Sequence, residues 1–347
     1  MTEAKKNYLL LDVLKLMALL AIQVLHTWEF VFITDYFTLW DKSIFYRNSY
    51  AIARTFSLGG QILVAIVFLL FGLRGKSRLY LFKVAGFAAF GQICLALVFM
   101  DGFGFVNAIE WDIYGFLFFT CLVLSIIPEK IRSSWILISL SLIVLLISPS
   151  YWQELFPAGK FYDVLCGRFS PYNSGGWAPV PWFFHCMLYF SLGDLIRKNP
   201  DPFHRFNKFE YVLWSLILLS CLPFIGAYFD TPIGLHYYDF SFNRPSYIFW
   251  MNFLPFVFVM RMSLIDSFQS QLASSRWITA VSKLYWIRHT GLTYLLAILF
   301  TGFCGVGYEE EFKSTPYLID LFFIGVLVVP EFAARILVKL GWWKKPT

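Results

Sequence analysis

The first apolar stretch of the chain, residues 8–33, is long enough to cross a bilayer and yet contains four ionisable side chains, Asp12, Lys15, His26 and Glu29. About 20 apolar residues, each rising about 1.5 Å, span the hydrocarbon core of a membrane. Ionisable groups at that depth are costly, and they usually face the interior of a helix bundle or a wet cavity. The stretch therefore predicts a membrane helix that carries a polar site.

The spacing of these side chains places them on one face of the predicted helix. Lys15 and His26 are eleven residues apart, which is about three turns and roughly 16 Å along the axis. Asp12 and Glu29 each lie one turn further out and can join the same stripe. Taken singly, Lys15 and Asp12 also fit an ion pair at the near interface, and His26 fits a packing residue between helices. The stripe as a whole favours a function.

Composition supports a membrane protein. The 347 residues are 59% hydrophobic and only 14% charged, which leaves too little polar surface for a water-soluble protein of this length. We interpret residues 1–347 as one all-α, multi-pass domain in the plasma membrane. The net charge of +6 is explained by basic residues at helix ends rather than by binding to nucleic acid.

Hydropathy predicts a single bundle of about ten spanning helices, and the basic residues assign its two sides. Most Lys and Arg residues fall on the set of helix ends that includes both termini, whereas the segment 149–176 belongs to the other side. Both termini are therefore predicted to be cytoplasmic. The predicted spans are 8–33, 52–73, 79–100, 106–127, 132–148, 177–197, 209–229, 245–265, 281–304 and 316–340.

In this topology, titratable groups gather near the outer face. His26 and His185 are predicted to lie at similar depth, and Trp182 and Tyr189 share the helix face of His185. Asp112 stands near the outer start of the fourth span. An imidazole titrates close to neutral pH and suits proton transfer. The alternatives are that His185 is a hydrogen-bonded packing residue and that Asp112 caps its helix.

Cations gather on the cytoplasmic side, where Lys283, Arg288 and His289 belong to the ninth span and Lys15 lies in the inner half of the first. Such groups can hold phosphate. Alternatively, Arg288 and His289 only mark the inner membrane interface and contact no ligand. The six cysteines show neither a CxxC pair nor a Cys/His cluster, so we predict no metal. The sequence also lacks a nucleophile elbow, a P-loop and a Rossmann glycine pattern.

Three segments resemble the integral-membrane acyltransferases, in particular the acyltransferase type 3 branch and the heparan-alpha-glucosaminide N-acetyltransferase catalytic domain. The first, LDVLKLMALLAIQVLH, is similar to a motif with Arg, ten residues and then His. The second, NSGGWAPVPWFFHCMLYFSLGDLI, resembles the "PLLPW" start of a later helix. The third, VSKLYWIRHTGLTYLLAI, resembles a late helix with serine, aromatic and histidine residues before an apolar run.

The resemblance implies that cytosolic acyl-CoA, most simply acetyl-CoA, acylates a hydroxyl or amine of a glycan or lipid-linked acceptor on the far side. By position, His26 corresponds to the catalytic histidine, and Lys15 replaces the motif arginine. Lysine keeps the charge but loses the planar fork. The segment 173–176, Asn-Ser-Gly-Gly, also departs from the acidic residue usual before the "PLLPW" motif.

We therefore expect an acyl-CoA-dependent transmembrane O- or N-acyltransferase in which His26 is the general base or briefly carries the acyl group. Glu29 or Asp112 would orient its imidazole, and His185 would assist or stabilise the oxyanion. The residues expected to bind the acyl-CoA are Lys15, Lys283, Arg288 and His289.

The expected partners are membrane lipids and the acceptor, and the sequence leaves open a homo-oligomer. Two other functions remain. The polar stripe could form the path of a transporter or flippase for a polar lipid or small anion, although no internal repeat supports this. The chain could also be an inactive acyltransferase-like subunit. This alternative rests on Lys15, which replaces the motif arginine.

Overall fold

The structure is a computed structural model that describes residues 8–31, 59–98, 113–132, 135–146, 179–200, 258–307 and 317–343, with a few isolated residues between them. Within these ranges the regular structure is helical and contains no strand, which confirms the all-α class. The helices are α1 Leu9–Val31, α2 Gly59–Leu73, α3 Arg78–Val98, α4 Ile113–Ile126, α5 Glu129–Arg132, α6 Trp135–Leu146, α7 Pro179–Lys198, α8 Asp266–Ser274, α9 Arg276–Val281, α10 Tyr285–Arg288, α11 Thr290–Gly307 and α12 Tyr317–Lys339.

These helices overlap eight of the ten predicted spans, while most of span 209–229 and most of span 245–265 lie outside the described residues. Of the described helices, two are long and apolar enough to cross a membrane, over Arg78–Leu97 and Asp320–Lys339. By length and composition alone these two are weak evidence. The ten-helix bundle and the cytoplasmic termini therefore stay predictions.

The predicted ninth span, 281–304, is wrong as a continuous helix. The chain leaves helical structure at residues 282–284, between α9 and α10. It leaves it again at His289, whose backbone angles are φ −127° and ψ 43°. No proline lies at these breaks, and both ends of α10 are bonded to distant parts of the chain.

The chain divides into two compact units, and each is described by itself. Unit 1 takes in Val64–Gln92 and Glu110–Leu272, and unit 2 takes in Leu9–Leu63, Ile93–Ile109 and Ala273–Thr347. The prediction of one domain over 1–347 stays a prediction.

Unit 1 is built around α7, which packs against α4, α5 and α6. Ile138 of α6 joins Leu188 and Leu195 of α7 in one buried cluster. Helices α2 and α7 approach so closely that their backbones touch: a Cβ on Gly72 would collide with the carbonyl oxygen of Phe190, and one on Gly193 with that of Leu69. Small residues allow this close approach.

We expect Gly193→Ala to destabilise the protein by about 1–3 kcal/mol or more, because the new methyl group meets backbone that cannot move aside. Gly86→Ala is the matched control, since Gly86 is also helical and a Cβ there meets nothing within 4 Å. That change should stabilise the protein by up to about 1 kcal/mol. Denaturation in detergent measures both effects. Equal stability of the two variants would contradict the contact between α2 and α7.

Unit 2 is built around α1, which packs against α9, α10, α11 and α12, while α11 and α12 pack against each other. The buried face of α1 repeats every three to four residues through Leu11, Lys15, Leu19 and Ile22, the spacing of one helix face. Lys15 therefore stands in the middle of an apolar row, where a charge needs a partner.

Several helices carry large apolar side chains on their exposed faces. In α12 these recur every three to four residues, and they include Leu321, Ile324, Val328, Phe332 and Ile336. In α3 they are Leu79, Phe82, Phe90, Ile93 and Leu97. Continuous apolar faces of this kind mark a membrane or a protein partner as the neighbour.

Candidate functional site

The buried ammonium group of Lys15 is held by two oxygens within unit 2. Its Nζ donates to the backbone carbonyl of Ile287 at 2.8 Å and to Oδ1 of Asp12 at 3.3 Å. The lysine is only 5% exposed. The predicted pair of Asp12 and Lys15 is thus present, but it lies inside the packed unit and is joined to a segment 272 residues away.

The carbonyl of Ile287 accepts this bond because it lies in the last turn of α10. Carbonyl groups at a helix end lack their usual intrahelical donors, and a cation there is favourable. The hydroxyl of Thr290 donates to the same oxygen at 3.0 Å. Lys15 therefore binds the carboxyl end of α10, next to the break between α10 and α11.

The other end of α10 is capped by Glu331, a residue of α12 that sequence reasoning missed. Its Oε1 accepts from the backbone N–H of Tyr285 at 2.9 Å, and its Oε2 from that of Trp286 at 3.0 Å. Arg335 donates from Nε and Nη2 to the same Oε1, at 2.9 and 2.8 Å. The Trp286 indole donates to the carbonyl of Leu327 at 2.9 Å. Together these bonds fix α10 to α12.

Three predicted cofactor-binding residues surround this short helix. Arg288 is the last residue of α10 and is exposed. His289 directly follows it, and its ring stacks on that of Tyr285 with centroids 4.9 Å apart. Lys283 is exposed in the turn before α10. Through Ile287, the structure brings Lys15 to the chain segment that contains Arg288 and His289.

The predicted catalytic residues of the first helix share the backbone of α1. The helix is continuous from Leu9 to Val31, so the Cα atoms of Lys15 and His26 are roughly 16 Å apart along it. The side chains of His26 and Glu29 lie outside the described residues, and so does Asp112. Their predicted roles stay predictions.

His185 belongs to unit 1, where it is buried in an aromatic cluster on α7. Its ring lies edge-on to Trp182, with centroids 5.5 Å apart, and to Tyr189, at 5.0 Å. Trp182 in turn packs against Phe116 of α4. The three side chains thus share one helix face, as their spacing predicts.

Within the described ranges, no group of three or more His, Cys, Asp and Glu residues stands at metal-binding spacing. The prediction that no metal is needed remains to be tested. No family model matches the chain, and neither a curated protein nor a solved structure matches it either. The resemblance to the membrane acyltransferases therefore rests on the three quoted segments.

The geometry provides a cationic site at α10, whose two ends are bonded to α1 and α12. The ammonium of Lys15 is fixed to backbone, and the exposed guanidinium of Arg288 follows one residue after the carbonyl that Lys15 binds. Ammonium and guanidinium groups bind phosphate through charge-assisted hydrogen bonds. The site thus suits an anionic ligand.

Proposed function

We propose that the protein is a membrane acyltransferase that uses cytosolic acyl-CoA to acylate a hydroxyl or amine of a glycan or lipid-linked acceptor at the outer face. The observation that carries the proposal is the bond between Lys15 and the carbonyl of Ile287. It joins two of the three segments that resemble the family, the one containing Lys15 and His26 and the one containing Arg288 and His289.

In the proposed donor site, Arg288 and Lys283 contact the phosphate groups of coenzyme A. Both side chains are exposed and positively charged, and they flank α10. Lys15, whose charge is paired with Asp12, keeps the end of α10 in place. Arg288 is better suited to phosphate than Lys283, because its planar fork can donate two parallel hydrogen bonds.

In the proposed transfer step, His26 accepts the proton of the acceptor hydroxyl or amine as its oxygen or nitrogen attacks the thioester carbonyl. The carbon–sulfur bond then breaks, and the coenzyme A thiolate leaves and takes up the proton that His26 accepted. Glu29, one turn further along α1, orients the imidazole.

A membrane location is supported by two features. Helices over Arg78–Leu97 and Asp320–Lys339 have the length and composition of membrane spans. In addition, α3, α6 and α12 present large apolar side chains on their exposed faces, a pattern that lipid tails would cover at no cost.

Radiolabelled acetyl-CoA tests the proposal. The purified protein, reconstituted in vesicles with candidate glycan and lipid-linked acceptors, should move label from the coenzyme A side to an acceptor on the opposite side. Label that appears only as free acetate, or not at all with any acceptor, would contradict acyl transfer.

A second candidate, a transporter or flippase for a polar lipid or small anion, is favoured by the broken helix α9–α10–α11. Interrupted helices often form the binding sites of transporters. The same vesicles distinguish the two, because a transporter would accumulate the intact anion or lipid without acyl transfer. An inactive acyltransferase-like subunit would do neither.

We expect Arg288→Ala to weaken coenzyme A binding by roughly tenfold or more, because a charge-assisted hydrogen bond contributes about 1.5–3 kcal/mol. Arg276→Ala is the control, since Arg276 is also exposed but stands at the start of α9. Equilibrium binding in detergent measures both variants. Unchanged affinity in Arg288→Ala would move the donor site away from α10.

A further inference from the structure

Arg132, the last residue of the short helix α5, is a buried cation in unit 1. It is only 3% exposed, and its Nε and Nη1 atoms are buried and have no hydrogen-bond partner in the part of the chain that the structure describes. The ring of Phe190 covers its guanidinium at 5.5 Å. That contact satisfies the flat face of the group but none of its N–H donors.

Asp194, a buried acid that interacts with Arg132 electrostatically, is paired with other cations. Oδ1 of Asp194 accepts from Nε and Nη2 of Arg197, at 3.1 and 2.5 Å, and Oδ2 lies 3.0 Å from Nζ of Lys198. Asp194 is itself buried. One carboxylate therefore serves two direct partners while Arg132 adds a further positive charge.

The remaining charged groups around Arg132 do not cancel this excess. Glu129 on α5 and Arg78 on α3 interact with Arg132 electrostatically, with opposite signs. The guanidinium of Arg78 donates to the carbonyl oxygens of Ser125 and Ile126, at 2.6 and 3.1 Å. Lys130, beside Glu129 on α5, is exposed. The region keeps a net positive charge.

A buried guanidinium with unsatisfied donors is stabilised by an anion that binds it, because both the charge and the unpaired donors are costly to bury. We propose that Arg132 binds the phosphoryl group of an anionic membrane phospholipid. The fork of an arginine matches two oxygens of a phosphate. This inference rests on the membrane location proposed above but not on acyl transfer.

The surface next to Arg132 favours a lipid over free phosphate. Ile131, its neighbour on α5, is 48% exposed, and α6 begins three residues after Arg132 with an exposed apolar face. That face consists of Trp135, Ile136, Leu140 and Ile143. If a lipid phosphate binds Arg132, the acyl chains of that lipid lie beside these apolar side chains. Inorganic phosphate has no apolar part and would make no contact of this kind.

Thermal unfolding in detergent with added lipid tests the site. For the wild-type protein, phosphatidylglycerol should raise the unfolding midpoint more than phosphatidylcholine does, and inorganic phosphate at the same concentration should have no such effect. Arg132→Met should lose the phosphatidylglycerol effect, with at least tenfold weaker retention of that lipid by native mass spectrometry. Lys130→Met, the exposed control on the same helix, should behave as the wild type.

Arg132→Met should also be no less stable than the wild type in phosphatidylcholine, because it removes a buried charge whose Nε and Nη1 have no hydrogen-bond partner in the described ranges. A loss of stability there would reveal such a partner and overturn the proposal. If Arg132→Met does not fold, Arg132→Lys tests the proposal instead. Lysine keeps the positive charge but lacks the planar guanidinium, so this variant should weaken the phosphatidylglycerol effect.

Three other results would overturn the proposal: an undiminished phosphatidylglycerol effect in the Arg132 variants, an equal effect of phosphatidylcholine, or an equal effect of inorganic phosphate. The last would assign the site to a soluble phosphate. A protein that retains phosphatidylglycerol through Arg132 but transfers no acyl group would leave this inference standing and end the acyltransferase proposal.

Discussion

His26→Ala is expected to abolish acyl transfer while the protein folds and still binds coenzyme A. Loss of a general base typically lowers the rate by about 100- to 10,000-fold. Loss of a hydrogen bond between membrane helices costs only about 0.6 kcal/mol on average, which would leave turnover nearly normal. The two expectations differ enough for a single-turnover assay with labelled acetyl-CoA to separate them.

His26→Asn is the matched comparison. An asparagine can replace a hydrogen bond of the imidazole but cannot accept the acceptor's proton at neutral pH. If His26 only packs between helices, the asparagine variant should recover what the alanine variant loses. If it is the base, both variants should be inactive. A well-folded alanine variant with near-normal turnover would remove the main support of the enzyme hypothesis.

Glu331→Ala should cause the largest loss of stability among the variants considered, about 3–5 kcal/mol. The change leaves the backbone N–H groups of Tyr285 and Trp286 without their acceptor and Arg335 without its partner. Removing one member of a buried charged network costs about this much. Denaturant unfolding in detergent measures it.

Arg335→Met is the control for the loss of Arg335, which pairs with Glu331 and lies over the ring of Tyr285. The Arg335 side chain is 44% exposed, so its loss should cost about 0–1 kcal/mol. Glu331→Gln should fall between the two, because its amide oxygen can still accept one of the backbone bonds. If Glu331→Ala were as mild as Arg335→Met, the two backbone bonds would contribute little, and α10 would be held by Lys15 and packing.

The sequence predicts helices well where apolar runs are long. The stretches 8–33 and 316–340 contain α1 and α12, and the regular burial of Leu11, Lys15 and Leu19 on one face follows from helical spacing alone. Local residue patterns contain this information, because the helix period needs no distant partner.

The break at α10 could not be predicted in the same way. The groups that stabilise its two ends come from elsewhere in the chain: Glu331 lies 46 residues after Tyr285, and Lys15 lies 272 residues before Ile287. Local propensity does not place the breaks within the span 281–304, because tertiary contacts decide where the helix ends. One signal was available, since Glu331 is an ionisable residue inside an apolar stretch with Arg335 one turn later.

The candidate site was predicted in part. Sequence spacing identified Lys15 and the pair Arg288 and His289 as cations of one region, and the structure joins their segments through Ile287. The sequence did not distinguish Arg132 from other basic residues at helix ends, because the burial of Arg132 depends on Phe190 and on the packing of α7.

The pairing of α1 with the last two helices has a consequence for how the protein is made. Lys15 leaves the ribosome early, yet its partner Ile287 and the cap of α10, Glu331, are synthesised only near the end of translation. Until then α1 contains a lysine that lacks its final carbonyl partner. Such long-range closure is slow, and it exposes intermediates to misassembly. A chain that stops before Glu331 would lack the cap of α10, and the helix end that Lys15 of α1 binds would then be incompletely held.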